Sequence, residues 1–250
     1  GNVEEGVVTA SLGTSGTIYS YSDRPVADEQ GELAAFCSST GGWLPLVCTM
    51  NVTVATELVR NLLGVGLAEM NKLAAEASPG ANGLILLPYF NGERTPPLPT
   101  ATASLTGMTA MNMTPASICR AAMEGATFGL RYGLDVIRKN GINPTEIRLV
   151  GGGGKSLLWR QIVADIFDCE VVCVEQEEAG ALGAALQALW CLANQAGETL
   201  SIKEITGRYV RLKESSRCGP DYETARCYDG LYQRFLIRSK ALEQTYSTPA

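Results

Sequence analysis

The chain has 250 residues, 46% of them hydrophobic and 18% charged, with a formal net charge of −6. That is ordinary globular composition, with apolar material for one large domain or two small ones, and the acidic balance excludes the basic footprint of a nucleic-acid binder. No apolar stretch reaches the roughly 18 residues of a membrane-spanning helix, and the absence of histidine excludes Ser-His-Asp and Cys-His chemistry within this chain.

In chain order, Gly6 to Gly13 is rich in apolar and β-branched residues and reads as a buried strand. Thr14-Ser15-Gly16 is a turn, and Thr17 to Tyr21 alternates as a second strand, so the two form a hairpin with a hydroxylic, glycine-rich tip. Val52 to Leu63 has helical spacing and Gly64 as its stop. Leu84 to Leu87 is a short buried strand, followed by the loop Pro88-Tyr89-Phe90-Asn91-Gly92-Glu93-Arg94-Thr95-Pro96-Pro97. Thr114 before Pro115 is an N-cap with proline at the first helical position, opening a helix that runs to about Asn140 and stops at Gly141. Glu146 to Val150 is a strand, the four glycines Gly151 to Gly154 follow, and Ser156 caps a helix with Leu158, Ile162, Ile166 and Phe167 on one side. A strand from Cys169 to Val174, a helix from Ala179 to Ala196 and a terminal helix over 221–245 complete the pattern, the last burying Tyr228, Leu231, Tyr232 and Phe235. Strand–strand followed by alternating helix and strand indicates an α/β layered domain.

Four segments could carry chemistry. The tip Gly13-Thr14-Ser15-Gly16 offers backbone N–H groups and two hydroxyls to a phosphate, although the same residues also make plain turns. The run Gly151–Gly154 between a strand and a helix N-terminus suits an anion or polar ligand, or tight packing alone. It is neither a Walker A motif nor a dinucleotide fingerprint, since Ser156 stands where the last fingerprint glycine belongs. The small residues of Glu177-Glu178-Ala179-Gly180-Ala181-Leu182-Gly183-Ala184-Ala185 permit close approach of a neighbour, with packing as the default, and the carboxylates suit the helix start. Glu93-Arg94 is a charged pair in a proline-flanked loop, either solvated surface or a closing element. The eight cysteines lack CxxC spacing, and are expected to be free, buried thiols in a reducing compartment. The opening Gly1-Asn2-Val3-Glu4-Glu5-Gly6 has no signal-peptide character, so a cytoplasmic location is expected.

The order of these segments is more specific than any of them. SLGTSGT, LPYFNGERTP, EGATFGLRYGLDVIRKNG, LVGGGGKSLLWRQIVADIFDCEV and EEAGALGAALQA together resemble the C-terminal half of the FGGY carbohydrate kinases over residues 3–195. The GERTP loop and the GGG-x-S-x-x-W-x-Q block resemble the xylulokinase branch most. The resemblance implies an actin-like, ribonuclease H-like α/β fold, with residues 1–200 as the nucleotide domain and 201–250 as a helical extension packed on it. It implies ATP and Mg²⁺, the ion carried mainly by the phosphates. It places Gly13, Thr14, Ser15 and Gly16 at the ATP phosphates, Gly152, Gly153 and Ser156 at adenosine, and Glu93 and Arg94 in a loop near the cleft. The family's base is an aspartate in a Gly-Asp-Asn segment ahead of the hairpin, whereas the first aspartate here is Asp23, beyond it. No catalytic residue is therefore assigned in this chain, the sugar-binding domain is expected to be absent, and the chain alone is expected to have no appreciable kinase activity. The uncovered cleft face implies self-association, as a homodimer. Pro97 to Ala103 is blander than the family pattern. Ribulose, gluconate or glycerol as acceptor, and a non-catalytic actin-like nucleotide sensor, are the alternatives; a Rossmann oxidoreductase is disfavoured by Ser156.

Overall fold

The structure, a computed structural model, describes residues 1–246. Its framework is a mixed sheet of seven strands: β1 (Val7–Leu12), β2 (Gly16–Ser20), β3 (Ala34–Cys37), β4 (Trp43–Thr49), β7 (Glu146–Val150), β8 (Val171–Val174) and β9 (Leu212–Cys218), with β5 (Ile85–Leu87) and β6 (Ser104–Thr106) forming a separate pair. The sheet order is β3-β4-β2-β1-β7-β8-β9. β1 lies at its centre, antiparallel to β2 with Ala10 opposite Ile18, and parallel to β7 with Ala10 opposite Leu149. The parallel pair β7–β8 is bridged by a helix, as parallel neighbours require.

The helices are α1 (Thr53–Leu63), α2 (Leu67–Glu76), α3 (Pro115–Lys139), α4 (Leu157–Phe167), α5 (Ala179–Gln195), α6 (Ile202–Tyr209) and α7 (Tyr222–Tyr246). α1 stops where expected, at Gly64 in the left-handed conformation with φ 66°. α3 opens on Thr114, whose hydroxyl accepts the Ser117 N–H at 3.2 Å. Nearly every residue of α3 from Ser117 to Leu130 is buried, because the helix is enclosed by the sheet, α1, α2, α4 and α7. The terminal helix buries Tyr228, Tyr232 and Phe235 as expected, with Leu231 only half-buried, and the three rings surround Phe128 with centroids 5.4–6.0 Å away.

A buried polar cluster joins α7 to α3 and to the end of α2. Arg120 Nε lies 2.7 Å from Glu124 Oε1, and its two terminal nitrogens donate to the Ala77 carbonyl at 3.0 Å and the Tyr228 hydroxyl at 2.9 Å. Tyr228 in turn donates to Glu124 at 2.6 Å, and the Gly80 N–H does so at 2.9 Å. α2 ends without a basic residue in its last turn, so the Arg120 guanidinium supplies the partner that its terminal carbonyls need.

At the other edge, Arg217 of β9 ties three strands together, pairing with Glu146 at 3.0 Å, Glu214 at 2.7 Å and Glu170. Burial pushes the Glu146 carboxyl up, but hydrogen bonds from Arg148 and Arg217 outweigh it and hold the group below its ordinary value. A depressed folded-state pKa contributes stability above the unfolded value of about 4.3 and loses it as pH falls through the folded value. Urea melts of wild type and Arg217→Ala should therefore differ most near neutral pH and converge in acid. An equal difference at every pH would contradict this account.

Two expectations need correction. The cysteines are all free, but only Cys119 and Cys169 are buried, while Cys37, Cys191 and Cys227 are exposed. The small residues of α5 do not serve packing among the described residues: only Leu186 and Ala193 of that helix are buried, and a Cβ on Gly180 or Gly183 would meet nothing within 4 Å.

Candidate functional site

The hairpin between β1 and β2 projects Thr14 and Ser15 into solvent, with Gly13 half-buried and Gly16 buried. The tip is held from below by α1. That helix has Val52 at its N-cap and no side-chain cap, so its first N–H groups need other acceptors. The hairpin supplies them: Val52 N donates to Thr14 O at 3.1 Å and Thr53 N to Gly13 O at 2.9 Å. The tip's carbonyls are thus engaged inward, while its hydroxyls lie at the surface. Gly16 is glycine for packing, since a Cβ there would sit 2.6 Å from Val52 and 2.7 Å from Leu130.

The glycine loop lies beside this tip. Gly151 has φ +90°, a conformation that favours glycine, and its ideal Cβ would be 2.7 Å from Leu12 O and 3.1 Å from Gly13 N. The next residues make a single tight turn at Gly152–Lys155 before Ser156 caps α4 by accepting the Trp159 N–H at 3.1 Å. Gly152 and Gly153 differ in character. A side chain on Gly153 would strike Leu12 at 2.8 Å and the Trp159 ring at 3.1 Å, whereas one on Gly152 would meet nothing within 4 Å. The Trp159 ring is fixed by its Nε1 donating to Thr127 at 3.0 Å.

Gly152, Gly153 and Ser156 line a cleft of about 670 Å³ whose other wall is α1 and α2. Leu67, Met70, Met123 and Trp159 make it apolar, with Thr53, Thr56, Glu57 and Asn71 as polar groups. The Ser156 hydroxyl bonds the Asn71 carboxamide across the cleft, joining the two walls. An apolar slot with a few polar groups at its rim suits a flat heteroaromatic ligand. A second hollow of about 510 Å³, on the β8–β9 side of the loop, is lined instead by charges of both signs, among them Lys155, Arg160, Lys213 and Glu175. Lys155 is engaged there with Glu177 at 2.9 Å, both side chains exposed.

The sequence-nominated residues thus form two adjacent groups, the tip and the glycine loop, which meet at Leu12 and at the start of α1. Glu93 and Arg94 separate. Glu93 is 4% exposed and directed inward, accepting the Met50 N–H at 2.7 Å, the Arg94 N–H at 2.8 Å and Asn51 Nδ2 at 3.2 Å. Burial raises its pKa above the ordinary carboxyl value, outweighing the downward pull of these bonds. Arg94 is exposed, beside a hollow formed with Phe36, Leu46 and Cys48. Neither residue lines the apolar cleft. Sequence reasoning passed over α2 and with it Met70 and Asn71. The available signal was Leu67, Met70 and Ala74 at helical spacing after Gly66. Among the described residues no group of three or more His, Cys, Asp or Glu side chains could hold a metal ion, and no helix is long and apolar enough to cross a membrane.

The xylulose kinase of Haemophilus influenzae is 48% identical over 242 residues, covering 97% of this chain and 48% of that protein. The gluconokinase of Bacillus licheniformis is 29% identical over 259 aligned positions, covering 98% of this chain and 49% of that protein. The chain thus spans about half the length of the curated relatives it matches. The crystal structure of xylulose kinase from Bifidobacterium adolescentis superposes with a TM-score of 0.78 at 37% identity, covering 92% of this chain and 44% of that one. The α/β architecture is therefore of the actin-like ATPase type expected. Residues 8–192 match the model of the FGGY family of carbohydrate kinases, C-terminal domain, and the chain belongs to that family.

Proposed function

We propose that this chain is the nucleotide-holding half of an ATP-dependent carbohydrate kinase that phosphorylates a hydroxyl of D-xylulose. The observation that carries the nucleotide assignment is the placement of an amide- and hydroxyl-rich tip next to an apolar cleft, both organised by the first turn of α1. Thr14 and Ser15 would donate to phosphate oxygens together with the amides of Gly13 and Gly16, while Gly152, Gly153 and Ser156 would border the adenosine. Mg²⁺ would enter on the nucleotide phosphates and neutralise their charge, in keeping with a tip that offers hydroxyls and amides but no carboxylate. Much of phosphoryl transfer is positioning and charge stabilisation, so the rigid tip and loop are the contribution of this half.

D-xylulose is favoured over other acceptors by the xylulose kinase relative at 48% identity. Gluconate is the second reading, supported by the gluconokinase relative at 29%. Calorimetric titration tests the nucleotide assignment: Mg-ADP and adenosine should both bind, ADP more tightly because the tip adds its phosphate contacts. Failure of both ligands to bind at millimolar concentration would refute it.

A further inference from the structure

Glu93 belongs to neither the tip nor the cleft, yet it is one of the most constrained carboxylates in the chain. Its Oε1 takes two backbone N–H groups, from Met50 and Arg94, and its Oε2 takes the Asn51 amide. Asn51, 1% exposed, also donates to Gly92 O at 2.7 Å and accepts the Asn91 N–H at 3.2 Å. The loop itself is pinned by reciprocal backbone bonds between Glu93 and Leu98, at 2.8 and 2.9 Å. The bonds to Met50 and Asn51 grip the short junction between β4 and α1. The two residues that follow it, Val52 and Thr53, are the ones whose N–H groups hold the carbonyls of Thr14 and Gly13. The Glu93 carboxylate is therefore connected to the tip of the β1–β2 hairpin by hydrogen bonds at Met50 and Asn51, the two peptide links from Asn51 to Thr53, and the hydrogen bonds of Val52 and Thr53 to Thr14 and Gly13.

We infer that Glu93 is a positioning residue for phosphate recognition: it fixes the start of α1 and, through it, the orientation of the Gly13–Gly16 tip. The inference rests on the nucleotide reading above and assigns to the buried carboxylate a task that its distance from the cleft conceals. Charge-assisted bonds from two amides fix both direction and register more firmly than a neutral acceptor does. Because Val52 provides no side-chain cap, the first N–H groups of α1 are satisfied by tertiary hydrogen bonds to the hairpin.

Glu93→Gln is the discriminating variant. Either orientation of the new amide sets an N–H donor against the existing donors, Asn51 Nδ2 or the Met50 and Arg94 amides, while side-chain volume is kept. Mg-ADP and adenosine are titrated into wild type, Glu93→Gln and Glu93→Asp, with a thermal melt of each protein. Ile205→Val, a core truncation in α6, controls for general loss of stability. Glu93→Gln should bind Mg-ADP about tenfold more weakly and adenosine as wild type does, with Glu93→Asp intermediate and Ile205→Val unchanged for both ligands. If Glu93→Gln does not fold, the same split is read in Glu93→Asp. Equal affinities for Mg-ADP in wild type and variant would overturn the inference, as would equal losses for both ligands. Wild type that binds neither ligand would overturn the nucleotide reading and the inference with it.

Discussion

Replacing Arg120 by alanine should destabilise the fold by about 3–5 kcal/mol, the loss typical when one partner of a buried ion pair is removed. Arg120 is 6% exposed and Glu124 2%, so neither charge has water to fall back on. The variant strands Glu124 in an apolar setting with only the Tyr228 hydroxyl and the Gly80 N–H for company. It also leaves the Ala77 carbonyl at the end of α2 without its partner. Burial already pushes the Glu124 carboxyl up, against the pull of Tyr228 and Arg120, and removing Arg120 strengthens that push. A carboxyl with a raised folded-state pKa loses stability as pH rises through that value and regains it as pH falls. The deficit of Arg120→Ala, read from urea melts, should therefore shrink as pH is lowered. A deficit that is small, or that grows in acid, would show that the cluster does not carry charge in this way. Because α2 forms one wall of the cleft, Arg120→Ala should also loosen the site itself.

The second large effect separates two neighbouring glycines. Gly153→Val forces its side chain against Leu12 and Trp159 and should cost about 1–3 kcal/mol of stability through overpacking. A Cβ at Gly152 would meet nothing within 4 Å, so Gly152→Val should melt close to wild type, yet it adds bulk to the rim of the cleft. Misfit of that kind should weaken Mg-ADP binding by about tenfold to a hundredfold. The pair therefore distinguishes a glycine required by the fold from one required by the ligand, two roles that a run of four glycines cannot reveal in one dimension.

Most of the central framework was legible because local signals agreed with tertiary ones. Val7–Leu12 lies between Gly6 and Gly13 and Glu146–Val150 ends at Gly151, both with β-branched and apolar residues, and α3 has its N-cap, its proline and its terminal Gly141 in sequence. The outer elements were less visible for identifiable reasons. β4 contains Pro45, which reads against a strand, yet forms ladders with both β2 and β3. β9 reads Leu-Lys-Glu-Ser-Ser-Arg-Cys, a polar string held to the sheet by its ladder with β8 and by Arg217. α5 has the composition of a core helix but is largely exposed, so its composition misstates its burial. At the site, the tip and loop were visible as motifs, whereas Asn71 and Trp159 acquire meaning only once α2 and α4 face each other. Glu93 was visible as a charge next to Arg94, but its inward direction depends on the Met50 amide, 43 positions away.

The most direct test of the nucleotide site is a calorimetric titration of Mg-ADP into wild type and Gly152→Val, with matched thermal melts. Saturable binding to wild type, much weakened in a variant of unchanged stability, is the result expected. Equal binding to both proteins would remove the adenosine from the glycine loop and contradict the placement of the site.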